Sequence, residues 1–251
     1  MLDWIRRIRK VSQTLSLPSR DTSAGRSQSQ LNASKVIPAT EVFLANLLQT
    51  HLVMADLLAD DASPAPKKEW AERESQLAQH YRGRAEEIRE SLIKLGSSQM
   101  DLQQQARDRL DELVLRTEGA NWYEDLIRIH LVFGLLEDFY LRIAKGLSPA
   151  RRLKVEAMLS DNSLMDFCNE ALADAMEENP GLADDLALFG RAIIADSLLE
   201  VRDALDFSRV IAQPAADPTD STREQFGVIE PLTTELISAH TMRMDALGLT
   251  A

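Results

Sequence analysis

His130 and Glu137 are the two residues of the segment EDLIRIHLVFGLLEDFY (124–140) whose side chains could bind a metal ion. Metal sites in helix bundles use imidazole and carboxylate groups that point inward from the helices. A helical wheel places both residues on the face of Phe133, but seven residues, or about 10 Å along the axis, separate them. The residues one turn from His130 supply no ligand: they are Leu126, Ile127, Phe133 and Gly134. This pair therefore does not form a metal site by itself.

The rest of the chain carries no familiar catalytic motif. It has no Gly-rich phosphate loop, no His-Glu-x-x-His zinc motif and no Ser or Cys nucleophile with a recognisable partner. Cys168 is the single cysteine, which excludes an intrachain disulfide, and its apolar neighbours predict a buried thiol. Asp196 and Glu200 could form an acid pair, although contact with an arginine is the commoner role, and we expect His240 to pack or cap locally.

Long segments without proline define the elements that must position these residues. Proline is absent from 67–148, 150–179 and 181–213, and proline breaks helix interiors. The helix at 121–145 is apolar on both faces, so we expect it to be central and covered by the third or the C-terminal helix. No strand pattern of useful length occurs, and the prediction is an all-α antiparallel bundle. The expected helices are 38–60, 68–95, a segment capped by Ser97 or Ser98 and ending near 117, 121–145, 149–178, 180–210 and 223–246.

Charge divides the chain into a basic arm and an acidic body. The 251 residues carry a net charge of −12, but residues 1–35 hold seven Lys/Arg and two Asp, so residues 36–251 carry −17. An acidic body disfavours direct contact with nucleic acid. Residues 1–16 could form a basic amphipathic helix that contacts a partner or a membrane surface, although a loose arm followed by a flexible linker is the simpler interpretation. A second linker is expected at 212–222.

The totals favour a soluble, intracellular protein. The chain is 45% hydrophobic, and no apolar run approaches the roughly 20 residues that span a bilayer. The N-terminus lacks the apolar core of a secretory signal. We therefore expect no transmembrane segment and a cytoplasmic location.

Several segments resemble a known family. LTTELISAHTMRMDALGL (232–249) resembles the C-terminal signature of actinobacterial ferritin-like proteins similar to the tRNA isopentenyladenosine hydroxylase. NWYEDLIRIHLVFGLLEDFYLRIA (121–144), LALFGRAIIADSLLE (186–200) and ADLLADDASPAP (55–66) fit the same pattern in the same order. The resemblance covers about 38–249. It implies a ferritin-like antiparallel four-helix bundle with additional helices, and a diiron centre held by inward carboxylates and histidines.

Matching the family's motifs to this chain indicates that most of those ligands are replaced. The resemblance implies an acid in the second helix, an acid in the central helix and a histidine in the segment after Asp161. Those positions hold Leu77, Phe133 and Leu164, in that order. An acid is kept at Asp196. His51 stands where the first helix would carry a glutamate. The matched positions that remain capable of binding metal are His51, His80 and Asp161.

Two interpretations of these three residues stay open. They have the composition of a two-histidine, one-carboxylate iron site, or they are residual polar side chains linked by hydrogen bonds in a packed core. We favour a metal-free protein without a cofactor that binds a protein partner or assembles as a homo-oligomer. The alternative is an iron-dependent oxygenase or hydroxylase with a remodelled metal site, for which the resemblance implies tRNA as substrate.

Overall fold

The protein is built from helices packed in antiparallel order. The computed structural model describes residues 33–96, 100–208 and 218–250, with the backbone alone for 218–228. No strand occurs within these ranges, which confirms the predicted all-α class. The helices are α1 (Ala33–Val36), α2 (Thr40–Asp61), α3 (Lys68–Ile93), α4 (Met100–Arg116), α5 (Trp122–Arg128), α6 (Gly134–Ile143), α7 (Pro149–Met158), α8 (Ser163–Glu178), α9 (Leu182–Asp203) and α10 (Pro218–Ala246).

α2 packs along both α3 and α4, so it is the central helix of the N-terminal half of the bundle. Its length and mean hydropathy would suffice to cross a membrane, contrary to the expectation that no apolar run approaches that length. However, 72% of its most apolar window is buried inside the fold, as in the core helix of a soluble protein. No other described helix meets the same criteria.

The central helix is interrupted by a π turn. α5 and α6 are joined through Ile129–Phe133, whose backbone is π-helical. A π turn holds more residues than an α turn, and such turns often occur at functional sites. Asn121 begins this helix by accepting hydrogen bonds from the backbone N–H groups of Tyr123 and Glu124. α9 packs on α5, and α10 packs on α6. The C-terminal helix α10, rather than the third predicted helix (α4), therefore covers α6.

The predicted helix at 149–178 is wrong, because the chain breaks between α7 and α8. The last turn of α7 ends where the backbone N–H of Leu159 donates to the Val155 carbonyl. The carboxylate of Asp161 then accepts a hydrogen bond of 2.9 Å from the backbone N–H of Ser163. An aspartate that bonds the backbone two residues later favours a turn over a continuous helix. The break places Asp161 in a loop that faces α3.

The ends of the other elements differ less from prediction. The C-terminal helix begins at Pro218 rather than at 223, and Pro231 lies inside it. Ala33 and Val36 of α1 are buried against the bundle, and the Asp206 backbone N–H donates to the Val36 carbonyl. The described residues all belong to one compact unit, Leu31–Ala251. The predicted amphipathic helix at 1–16, the caps Ser97 and Ser98, and the 212–217 part of the second linker lie outside the described residues.

Candidate functional site

Tyr81 of α3 is the centre of a polar group that extends from the core to the surface, where the side chains of His80 and Asp161 are 45% and 37% exposed. Its ring is almost fully buried and lies between two predicted ligands, with ring centroids 5.5 Å from His51 and 5.9 Å from His80. Its hydroxyl donates a 3.1 Å hydrogen bond to Oε1 of Glu137 in α6. We call this group the Tyr81 cluster. Its members are His51, His80, Tyr81, Arg84, Glu137 and Asp161.

Arg84 lies between the two carboxylates of the Tyr81 cluster. Its side chain is only 7% exposed, and its guanidinium stacks 5.0 Å over the Tyr81 ring. Nη2 donates to Asp161 at 3.0 Å, and Nη1 lies 3.9 Å from Oε1 of Glu137. Asp161 is the hydrogen-bonded partner of this guanidinium and its side chain is 37% exposed, whereas Nη1 forms no hydrogen bond among the described residues. Arg84 therefore joins α3, α6 and the loop between α7 and α8.

Burial opposes ionisation of the innermost members of the cluster. Burial raises the pKa of Glu137 to about 7, although the Tyr81 hydroxyl and the Arg84 guanidinium act in the opposite direction. Burial likewise lowers the pKa of His51 to about 4. Asp161 is different, because the hydrogen bond from the Ser163 backbone lowers the pKa of its carboxyl. Near neutral pH the cluster thus holds a neutral His51, an ionised Asp161 and a Glu137 poised between its two forms.

The structure brings together two of the three predicted ligands. Nε2 of His80 lies 2.9 Å from Oδ2 of Asp161, the atom that also accepts from Arg84. His51 is fully buried on the far side of the Tyr81 ring, where its Nδ1–H donates to the Leu47 carbonyl at 2.8 Å. Within the described ranges, no group of three or more His, Cys, Asp or Glu side chains is arranged to hold a metal ion.

His130 and Glu137 are both buried, as the helical wheel predicts, but their surroundings differ. Glu137 contacts Tyr81 and lies near Arg84 of α3, and Arg243 of α10 acts on both Glu137 and His130, which also lies near His240. The π turn that contains His130 adds a residue to one turn, which rotates the following helix face by about 100°. Burial lowers the pKa of His130 to about 3, and neither ring nitrogen has a partner among the described residues.

The other candidate residues have structural roles. Asp196 pairs with Arg116 at 3.0 Å, and Glu200 lies 3.5 Å from Nη2 of Arg109, so each acid contacts an arginine. Cys168 is a buried free thiol, as predicted. Phe133 is buried in the core.

A comparison with protein families accounts for this architecture. Residues 39–213 match the family described as "Ferritin-like domain, actinomycetes". The protein belongs to this ferritin-like family. A search of curated proteins returns no match. The ferritin-like match covers α2 to α9 and ends before α10.

Three members of the Tyr81 cluster in this ferritin-like bundle were missed in the sequence. Glu137 was set aside because it lies seven residues from His130, and Tyr81 and Arg84 were not considered as site residues. One signal was available for Arg84, which follows His80 by four residues and so shares its helix face. For Tyr81 and Glu137 the partner is 56 residues away, and no local pattern reports such a contact.

Proposed function

We propose that this protein is a non-catalytic, metal-free member of the ferritin-like family that acts by binding other molecules. The carrying observation is the position of Arg84 between Glu137 and Asp161. A ferritin-like diiron centre draws four carboxylates and two histidines from four helices. Here Arg84 lies between the two acids of the cluster, hydrogen-bonded to Asp161 and 3.9 Å from Glu137.

The donor set does not fit a diiron centre. A guanidinium remains charged at all accessible pH values, and it repels a metal cation placed within a few ångströms in a buried site. The cluster also contains only two carboxylates, Glu137 and Asp161, and the Tyr81 hydroxyl donates to Glu137. Arg84 supplies a positive charge beside these acids.

One arrangement favours the alternative, a remodelled iron site. The Nδ1–H of His51 donates to the Leu47 carbonyl, which leaves Nε2 as the ring nitrogen with a free lone pair. Nε2 is buried and has no partner among the described residues. His80 and Asp161 are already in contact. An iron-dependent hydroxylase, with tRNA as substrate by family resemblance, would use these three side chains.

Metal analysis separates the two functions. Protein from iron-supplemented cells should contain iron far below one equivalent, and His51→Ala, His80→Ala and Asp161→Ala should leave that content unchanged. His240→Ala, which alters a histidine outside the cluster, is the matched control. Stoichiometric iron in the parent that disappears in the three cluster variants but not in the control would refute the proposal.

Chelation gives an independent measurement. A ligand that binds only the folded state stabilises it by an amount that grows with the logarithm of the ligand concentration relative to Kd, about 2.7 kcal/mol at one hundred times Kd. We expect the melting temperature to be the same with and without excess EDTA. A decrease on chelation that added iron reverses would contradict a metal-free bundle.

We assign contact with a partner to the basic arm, since residues 1–35 carry +5 on an otherwise acidic chain. Such contacts weaken as salt screens the charges. Deleting residues 1–30 should release co-purifying protein, membrane or tRNA and leave the melting temperature unchanged. Unchanged co-purification would remove the arm from the proposed function.

A further inference from the structure

One face of α9 is apolar and open to solvent. Leu188 and Leu199 are 66% and 47% exposed, and the two alanines between them on this face, Ala192 and Ala195, are exposed as well. At about 100° per residue, the four side chains lie within about 30° of one line along the helix. The buried face of α9 packs on α4, α5 and α10. We call the four exposed side chains the α9 stripe.

The α9 stripe has the same spacing in both directions along the chain. Its steps are four, three and four residues, with leucine at both ends and alanine in the middle. A two-fold axis through its midpoint therefore lays a second copy of the stripe antiparallel on the first, with Leu188 against Leu199 of the partner subunit. Two-fold contacts between identical chains are self-complementary in this way. The alanines let the two helices approach to about 8 Å, the short end of the usual spacing.

Charged residues just beyond the two leucines match the same arrangement. Asp184 and Arg202 are exposed, lie on one side of the stripe and form no ion pair among the described residues. The two-fold axis brings Asp184 to within about one residue step of Arg202 of the partner subunit, so two opposite-charge pairs form in the dimer. Asp185 and Asp203 flank the other side, where they would meet as like charges. Leu198 extends the apolar surface toward Arg202, which centres the contact there and leaves those two acids at the solvent-screened rim.

We infer that the protein forms a two-fold dimer through the α9 stripe. The contact is one helix wide, which is smaller than the roughly 800 Å² per partner of a standard interface. We therefore expect a weak dimer with Kd of about 100 µM. The inference goes beyond the proposed function, because it uses neither the Tyr81 cluster nor residues 1–35, so each can fail without the other.

Sedimentation equilibrium on the full chain measures the dimer. The protein should be monomeric at about 1 µM and mostly dimeric at about 1 mM. Leu188→Glu, which places a charge in the stripe, should stay monomeric over the same range. Leu153→Glu is the matched control and should dimerise like the parent, since Leu153 of α7 is 62% exposed and lies outside the stripe. A parent that is monomeric throughout, or a Leu188→Glu variant that dimerises equally well, would overturn the inference.

A charge exchange tests the two ion pairs. Asp184→Arg and Arg202→Asp should each weaken dimerisation several-fold, because each places like charges opposite one another. The double variant Asp184→Arg/Arg202→Asp restores opposite charges across the axis and should recover the Kd of the parent. Losses that simply add in the double variant would rule out this register.

Cysteine cross-linking tests the direction of the two helices. Leu188→Cys and Leu199→Cys proteins, mixed and mildly oxidised, should form a covalent dimer of one chain of each. Neither variant should cross-link alone, because equivalent positions are about 16 Å apart along the axis, whereas a disulfide joins Cα atoms about 5.5 Å apart. Cys168 is buried and does not compete. Cross-linking of Leu188→Cys by itself would indicate parallel helices and would contradict the proposed dimer.

Discussion

Replacing Glu137 with glutamine should stabilise the protein at alkaline pH and leave its stability unchanged at acid pH. Glu137 is 9% exposed, and burial raises the pKa of its carboxyl from 4.5 to about 7. The folded protein therefore holds this proton where the unfolded chain has released it. Stability decreases as pH rises through that window, and the full penalty is present above about pH 7. Glutamine keeps an acceptor for the Tyr81 hydroxyl and carries no charge.

The magnitude follows from the two pKa values. Each pKa unit corresponds to about 1.4 kcal/mol, so an increase from 4.5 to about 7 destabilises the ionised folded state by about 3 kcal/mol. Glu137→Gln should unfold at a higher urea concentration than the parent at about pH 8, with a free energy of unfolding larger by about 3 kcal/mol. At about pH 4, where the parent carboxyl is protonated, the difference should vanish.

Urea unfolding followed by far-ultraviolet circular dichroism, repeated across this pH range, checks the result. Glu72→Gln is the matched control, because Glu72 is exposed and pairs only with Lys68 on the same helix; exposed pairs contribute about 0–1 kcal/mol. A stability difference for Glu137→Gln that is constant with pH, or a variant that is less stable at about pH 8, would refute the burial argument.

Three further substitutions test the packing of the bundle. Gly134→Ala should destabilise it by about 1 kcal/mol, because the added Cβ would lie 2.7 Å from Nε of Arg243 and displace its hydrogen bond to the Gly134 carbonyl. Gly83→Ala, where nothing lies within 4 Å of the added Cβ, should stabilise α3 by about 0.5–1 kcal/mol. In urea unfolding, the two glycine variants should therefore change the free energy of unfolding in opposite directions. His130→Leu should raise the melting temperature by about 2–4 °C, since it removes a buried imidazole that has no hydrogen-bond partner among the described residues; a lower melting temperature would show that His130 has a bonding role.

The helices were largely predictable because the signals that begin and end them are local. Gaps between prolines located α2, α3 and α9 to within several residues. The break between α7 and α8 was missed because neither proline nor glycine marks it. It depends instead on the Asp161 carboxylate, which bonds the Ser163 backbone. The π turn at 129–133 was missed because its sequence is uniformly apolar and typical of an ordinary helix.

The candidate site was predictable only in part. Matching to the family singled out His80 and Asp161, which the structure places 2.9 Å apart. It also singled out His51, which lies across the Tyr81 ring and bonds its own helix. Arg84, which holds both acids, was not anticipated, because an arginine on a helix usually lies in solvent. Its burial depends on Glu137 and on a loop 77 residues away.

The sequence by itself determined the class of the protein, its uneven charge and the set of side chains that point inward from each helix. These properties follow from composition and from the helical period, which are local. Only the tertiary structure decided which inward side chains meet. The π turn rotates Glu137 away from His130 and toward Tyr81, and burial beside Tyr81 then removes the water that would otherwise ionise it. The pKa of Glu137 and the choice of Arg84 as its cation arise from that packing, because desolvation and ion pairing act between residues far apart in the chain.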